Sequence, residues 1–200
     1  MKNILILYPK EFNCIKKFNR KVDNVLASDD QLTLCYINEY DSRDFIKAYA
    51  NSKSLETLSM DKIDFNVITH AVIFDDGEVF LKEYKDLKDK NIPLRVMKIK
   101  ITRVLNIKKD KEFSAVKSND KYEYIGRGGL WGNPYAMHID GDRDEVIRKF
   151  KYDFDFDKFP NITKDKVYEL AGKRLGCFCK PAPCHGDVLA EFLNSWDDGE

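Results

Sequence analysis

The chain has 200 residues, 43% of them hydrophobic, which is enough for one sizeable core or two small ones. Thirty-four basic residues balance 34 acidic ones, so no net charge draws the protein to nucleic acid or to a membrane, and any such binding needs a local patch. No apolar run has the length of a membrane span, the first residues lead into a strand rather than a signal peptide, and the five cysteines are an odd number for a disulfide framework. We therefore expect a cytoplasmic protein with reduced thiols and no membrane partner.

The first half of the chain alternates apolar runs of strand length with amphipathic helical stretches. Residues 3–8 form a continuous apolar run, which is typical of a strand that is covered on both faces. Strand alternating with helix predicts a doubly wound, Rossmann-like α/β domain with a parallel sheet over residues 1–105. Further strands are predicted at 31–37, 70–74 and 94–101, and helices at 12–26, 41–49 and 78–90.

Ligands of such domains bind beyond the carboxyl ends of the strands, where Asp75 and Asp76 follow a predicted strand. Their carboxylates could accept hydrogen bonds from ribose hydroxyls or hold a metal. The simpler alternative is that they shape a turn and cap the next helix. No glycine-rich phosphate loop occurs in this half.

A charged stretch at 106–120 is predicted to link this domain to a small α+β domain at 121–200, which opens with a glycine-rich block at 126–135. Four glycines in seven residues allow the backbone to approach a ligand closely, Gly128 among them. Arg127 offers a charged fork for phosphate or carboxylate, Trp131 and Tyr135 could stack on a base, and Asn133 could read polar edges. The alternative is a tight structural turn with Trp131 in the core.

Three of the five cysteines lie within eight residues near the end of the chain. Cys177 and Cys179 are predicted on one face of a strand over 173–179, whereas Cys184 and His185 begin a helix after a proline turn. Three interpretations are open. The cysteines could be buried structural residues, or Cys177, Cys179, Cys184 and His185 could bind zinc. Alternatively, Cys184 could be a reactive thiol with His185 and Asp187 beside it, because a helix start stabilises a thiolate.

Four ordered blocks carry a family resemblance: Tyr124-Ile-Gly-Arg, Trp131-Gly-Asn-Pro, Gly172-Lys-Arg-Leu-Gly-Cys-Phe-Cys and Pro183-Cys-His-Gly-Asp-Val-Leu. Over about residues 122–194 they resemble the phage and bacterial family called domain of unknown function 4326. The resemblance implies that the family's signature positions are Arg127, Trp131, Asn133, Cys179, Cys184, His185 and Asp187. The first half resembles the Rossmann-like nucleotide-binding domains of the lysine-decarboxylase-like and DNA-processing superfamily.

These features together favour a phage or mobile-element enzyme that acts on a nucleotide, nucleoside or nucleic-acid base. N-glycosyl transfer or hydrolysis would suit such a site. One alternative is a non-catalytic, zinc-stabilised module that binds nucleic acid or a protein. Another is a phage counter-defence factor that binds a nucleotide signal or a host protein. The enzyme hypothesis requires Arg127 and Trp131 to face the cysteine cluster across a common recess.

Overall fold

A computed structural model describes residues 2–26, 31–113 and 118–199, and the chain divides into two compact units. The first unit comprises Met1–Ile99 and Ser195–Glu200, and the second comprises Lys100–Asn194. The division therefore falls at 99/100 rather than within 106–120. The reason is that residues 103–106 form a strand of the second unit's own sheet.

The first unit contains five strands and three helices among its described residues, in the order expected of a doubly wound domain. In chain order they are β1 (Lys2–Leu7), α1 (Ile15–Leu26), β2 (Leu32–Ile37), α2 (Phe45–Lys53), β3 (Glu56–Met60), β4 (His70–Asp75), α3 (Leu81–Asp89) and β5 (Leu94–Lys98).

All five strands pair in parallel, in the order β3-β2-β1-β4-β5, and helices flank the sheet. The order reverses between β1 and β4, as the predicted doubly wound fold requires. Leu5 and Leu7 of β1 pack with Leu87 of α3, and Ile4 and Ile6, which alternate with them, are also buried. Burial on both faces explains the continuous apolar run of β1. The predicted α/β fold class is confirmed.

The sequence did not predict β3, which lies at one edge of the sheet. Four of its five residues are exposed, and none of the five is fully buried. An edge strand with little buried surface has no need of an alternating apolar pattern, so it leaves little trace in the sequence.

The second unit has a smaller parallel sheet with β8 in its centre, in the order β6-β8-β7. Its core joins residues of the strands and helices, including Ile125, Phe150, Leu175 and Leu189. In chain order its elements are β6 (Arg103–Asn106), β7 (Tyr122–Tyr124), α4 (Arg143–Asp155), α5 (Lys164–Val167), a short 3-10 helix (Tyr168–Leu170), β8 (Arg174–Cys177) and α6 (His185–Ser195).

Candidate functional site

The end of β8 and the start of α6 bring the cysteine cluster together. Cys177 is the last residue of β8, and Cys184 directly precedes α6. Their sulfur atoms lie 3.5 Å apart, and the backbone N–H of Cys179 donates to the Cys177 sulfur at 3.3 Å. Both Cys177 and Cys184 are 2% exposed, whereas Cys179 is half-buried. The sulfur of Cys177 is therefore in contact with both of the other cysteines in the cluster.

This arrangement favours a thiolate at Cys177. The hydrogen bond to Cys184, together with the backbone N–H groups of Cys179 and Lys180, lowers the pKa of Cys177 well below its usual value. The same hydrogen bond to Cys177, together with burial, raises the pKa of Cys184. The sequence pointed to Cys184 as the reactive thiol. The geometry favours the charge on Cys177 instead, because the backbone N–H groups of Cys179 and Lys180 both donate to that sulfur, whereas Cys184 has one such donor, from Gly186.

His185 is a buried residue that ties α6 to the glycine-rich block. Its Nε2 donates to the backbone carbonyls of Ile125 and Trp131, each at 3.0 Å, and its ring meets Phe150 edge-on. Burial lowers the pKa of the imidazole below its usual value. Because Nε2 is held by two carbonyls, it is not available to transfer a proton. The neutral ring instead fixes α6 against the glycine-rich block.

Asp187 caps α6 and does not line the cavity described below. Its Oδ2 accepts the backbone N–H of Cys184 at 2.9 Å, and its Oδ1 pairs with Nζ of Lys180 at 2.5 Å. A carboxylate held by these two partners stabilises the helix start. The predicted acid–base role of Asp187 is therefore replaced by a capping role.

The glycine-rich block is a tight turn that presents Arg127 at the surface. A Cβ on Gly132 would lie 2.7 Å from the carbonyl oxygen of Gly126, so the backbone crosses itself there too closely for any side chain. Gly128 has a φ of +86° with open space around it, and it does not line the cavity. Gly128 thus provides the positive φ that the turn requires. It does not provide the predicted close approach of the backbone to a ligand.

Trp131 is a core residue, not a stacking surface for a ligand. It is 4% exposed and belongs to the same hydrophobic cluster as Ile125 and Leu175. If the ring of Trp131 were exposed to stack on a ligand, the core of this small unit would lose one of its largest apolar side chains. For Trp131, the geometry agrees with the alternative of a tight structural turn with this residue in the core.

Asn133 and Tyr135 line the cavity, but their polar groups are engaged within the protein. Asn133 donates to the carbonyl of Val146 at 3.1 Å and accepts the backbone N–H of Tyr135 at 3.0 Å. The Tyr135 hydroxyl donates to Asp153. These two residues therefore shape the wall, and the Tyr135 ring is the part that a ligand could contact.

The two blocks meet around a cavity of about 280 Å³ in the second unit. Arg127 and the Cys177–Cys184 pair both line it, and Arg143 at the start of α4 adds a second guanidinium. The guanidinium of Arg143 donates to the carbonyl of Pro183 at 3.1 Å, whereas Arg127 makes no hydrogen bond or ion pair with any described residue. Apolar wall is supplied by Met137, Val146, Ile147 and the half-exposed Phe178.

Sequence reasoning missed Arg143 and Phe178. Arg143 stands in an acidic segment, Asp140-Gly-Asp-Arg-Asp, which indicates only a helix start. The usable signal was its position as the first residue of that helix, because helix starts often border anion sites. Phe178 lies between Cys177 and Cys179 and is exposed because β8 has already ended.

Zinc binding by Cys177, Cys179, Cys184 and His185 is one of the three interpretations of the cysteine cluster. Among residues 2–26, 31–113 and 118–199, no three or more histidine, cysteine, aspartate or glutamate side chains are grouped so that they could hold a metal ion. Nε2 of His185 is directed to backbone carbonyls. In this geometry Cys177, Cys179, Cys184 and His185 do not form such a group.

Asp75 and Asp76 lie in the first unit and act locally. Oδ1 of Asp75 accepts the backbone N–H of Gly77 at 2.9 Å, and Oδ1 of Asp76 accepts those of Glu78 and Val79 at 3.0 and 3.1 Å. These contacts are those of the turn-and-cap alternative.

The fold and the site together define a two-domain α/β protein in which a Rossmann-like domain precedes a small domain with a thiol-lined cavity. Residues 1–105 match the minimal SLOG domain, and the chain belongs to that family. Residues 105–195 match the domain of unknown function DUF4326, the family suggested by the four sequence blocks.

A phage protein is among the relatives. The chain is 48% identical over 71 residues to an uncharacterized 12.4 kDa protein in the nrdA-td intergenic region of Enterobacteria phage T4. The match covers 35% of this chain and 65% of the phage protein, so the chain spans a little under two thirds of that relative's length. No solved structure matches the chain significantly. None of the described helices is both long enough and apolar enough to cross a membrane.

Proposed function

We propose that the second domain is an enzyme of phage or mobile-element origin that acts on a nucleotide, nucleoside or nucleic-acid base in the cytoplasm. The observation that carries the proposal is the cavity, which is lined both by Arg127, whose guanidinium pairs with none of the described residues, and by Cys177, whose pKa is lowered. Perturbed titratable groups in a concave site are typical of active sites. The SLOG fold of the first domain is itself nucleotide-related, which supports the same substrate class.

The charge of the cavity favours an anionic ligand. Arg127 and Arg143 each offer several N–H donors, and guanidinium groups bind phosphate in a bidentate manner. A volume of about 280 Å³ lies just below the usual range for small-molecule pockets. A mononucleotide or a single flipped-out nucleotide fits that size better than a dinucleotide.

The apolar part of the cavity suits a planar ring. Tyr135, Met137 and Phe178 give it aromatic and thioether surface, and Phe178 is 50% exposed. Bases stack on such rings independently of sequence, with a gain of roughly 1–3 kcal/mol each. Phe178 therefore takes the stacking role that the sequence suggested for Trp131.

The chemistry we propose is nucleophilic attack by the Cys177 thiolate on the sugar carbon that carries the base, so that an S–C bond forms, the C–N bond to the base breaks, and the base leaves with the bonding electron pair. Water then attacks the same carbon, so that the S–C bond breaks, the thiolate is regenerated, and the departed base takes the proton of the water. The described residues lining the cavity include no aspartate or glutamate. An N-glycosyl transfer or hydrolysis that depends on carboxylates in the cavity therefore has less support than a reaction through a covalent intermediate on sulfur.

Calorimetric titration with nucleoside monophosphates and the matching nucleosides tests the proposed ligand class. We expect the monophosphates to bind more tightly, and Arg127→Ala to weaken their binding about tenfold to a hundredfold, because hydrogen bonds to charged groups contribute about 1.5–3 kcal/mol. Arg148→Ala is the matched control, since Arg148 lies on the exposed side of α4 and pairs with Glu145. No binding at millimolar concentration, or equal binding by Arg127→Ala, would contradict the proposal.

A binding role without turnover is the second candidate, because Cys177 and Cys184 are each only 2% exposed. It corresponds to a counter-defence factor that sequesters a nucleotide signal. Chromatographic assay of the products from each bound nucleotide separates the two roles. Turnover that Cys177→Ala abolishes while binding persists supports the enzyme, whereas binding without turnover supports sequestration.

A further inference from the structure

We propose that Cys177 and Cys184 form a reversible disulfide when the protein meets a peroxide. The pair is thus an oxidisable site within the cavity. Formation of the disulfide does not depend on which ligand the cavity binds. The two sulfur atoms already lie 3.5 Å apart without a bond.

The geometry leaves a short distance to close. A disulfide needs sulfur atoms about 2.05 Å apart, so the pair must approach by roughly 1.5 Å. Cys177 is fixed at the end of β8, but Cys184 stands in the junction before α6, where a rotation of its side chain can supply much of the movement. The six residues between them form the connecting loop, so closure constrains only a short segment of chain.

Cys177 is the sulfur that reacts first. The backbone N–H of Cys179 donates to it at 3.3 Å, and its sulfur lies 3.5 Å from that of Cys184; a backbone donor of this kind stabilises a thiolate. The lowered pKa of Cys177 agrees with this geometry. Cys184 keeps its proton and stands ready as the resolving thiol.

The chemical steps balance with hydrogen peroxide as the oxidant. The Cys177 thiolate attacks one peroxide oxygen, so an S–O bond forms, the O–O bond breaks, and hydroxide leaves. The sulfur is oxidised by two electrons and the peroxide is reduced. The Cys184 sulfur then attacks the sulfenic sulfur, so the S–S bond forms, the S–O bond breaks, and the departing hydroxide takes the thiol proton as water. A dithiol reductant reverses the modification by exchange.

Peroxide reaches the two thiols through the cavity. Both sulfur-bearing residues line it, so a molecule as small as peroxide can reach them although their exposed fraction is low. Cys14 and Cys35 of the first unit are buried, and burial raises the pKa of Cys35 to about 11. Those two cysteines are internal controls in the same chain.

The test treats the full chain with hydrogen peroxide at neutral pH, blocks the remaining thiols with N-ethylmaleimide, and maps the peptides by mass spectrometry. We expect a Cys177–Cys184 cross-link that dithiothreitol reverses, with Cys177 oxidised at least about a hundredfold faster than Cys35 because thiolate fraction sets the rate. In Cys184→Ser, Cys177 should stop at the sulfenic acid and react with dimedone. Cys35→Ser, the matched control, should form the cross-link as the wild type does.

Three results would overturn the proposal: no cross-link, a Cys177–Cys179 bond in its place, or oxidation of Cys184 in Cys177→Ser as fast as that of Cys177 in Cys184→Ser. Should Cys184→Ser fail to fold by circular dichroism, Cys184→Ala tests the resolving role, and the wild-type map decides the pairing alone. Since no nucleotide is present, failure here leaves the proposed ligand class untouched.

Discussion

At the scale of single residues, neighbouring groups decide the ionisation of Cys177 and His185. Cys177 and Cys184 are equally buried, yet the donors around Cys177 lower its pKa, whereas the hydrogen bond to Cys177 raises that of Cys184. Nε2 of His185 bonds to neutral backbone carbonyls, so the effect of burial outweighs that of these hydrogen bonds and lowers the pKa of His185. Burial alone therefore does not set the protonation state of either thiol.

The rate of Cys177 alkylation should report its thiolate directly. We expect the rate of reaction with iodoacetamide, followed by peptide mass spectrometry, to reach half its maximum well below the ordinary thiol value, because the hydrogen bond to Cys184 and the backbone donors lower the pKa of Cys177. Cys184→Ala removes the largest stabilising donor and should move the midpoint upward. A midpoint near the ordinary thiol value of about 8.5 in the wild type would contradict the assignment.

His185 should make stability depend on pH in the mildly acidic range. Its folded pKa is lowered from 6.5, so below that pH the unfolded chain takes up a proton that the folded chain does not. The free energy of unfolding should therefore fall as pH falls below 6.5 towards the lower folded pKa. Urea denaturation at several pH values checks this. His185→Gln should lose that part of the dependence, whereas His70→Gln should retain it.

At the scale of elements, the site depends on two junctions. The end of β8 and the start of α6 place the cysteines, and the glycine-rich turn after β7 places Arg127 and the carbonyls that hold His185. The sequence indicated the strand, the proline turn and the helix around the cysteines. It did not indicate where β8 ends, and that end point leaves Phe178 exposed at the cavity.

Gly132 should tolerate no side chain in the turn. A Cβ there would meet the backbone oxygen of Gly126 at 2.7 Å, so we expect Gly132→Ala to destabilise the second unit by about 1–3 kcal/mol, as overpacking does. Differential scanning calorimetry measures the loss. Gly129→Ala is the matched control, because its nearest contact would be an ordinary 3.4 Å. Equal losses in both variants would show that the crossing at Gly132 is not the cause.

At the scale of the whole molecule, the chain begins in the first unit, passes through the second, and ends in the first. The last residues are held by α1: Lys17 pairs with Asp198, and Arg20 pairs with Asp197 at 2.8 Å. The side chains of Lys17 and Asp198 are 9% and 12% exposed, so this pair is largely withdrawn from water. The C-terminal residues are therefore part of the first unit's structure.

Asp198→Asn should destabilise the first unit, because it leaves the Lys17 ammonium buried beside a neutral group. We expect a loss of about 1.5–3 kcal/mol, the usual contribution of a hydrogen bond to a charged group. Calorimetric unfolding of the full chain provides the measurement. Asp155→Asn breaks an exposed pair with Lys151 and should cost less than about 1 kcal/mol. A loss no larger in Asp198→Asn than in this control would argue against the buried pair.

The sequence by itself determined the alternation of strands and helices, the parallel sheet and the two blocks that border the cavity. These features follow from periodic burial, which is written into local patterns such as the apolar run of β1. Tertiary structure decided which thiol carries the charge, that Trp131 is core, that Asp187 is a cap, and that Arg143 joins Arg127. Those outcomes depend on groups far apart in the chain, and no local pattern records which partners a folded backbone brings within hydrogen-bond distance.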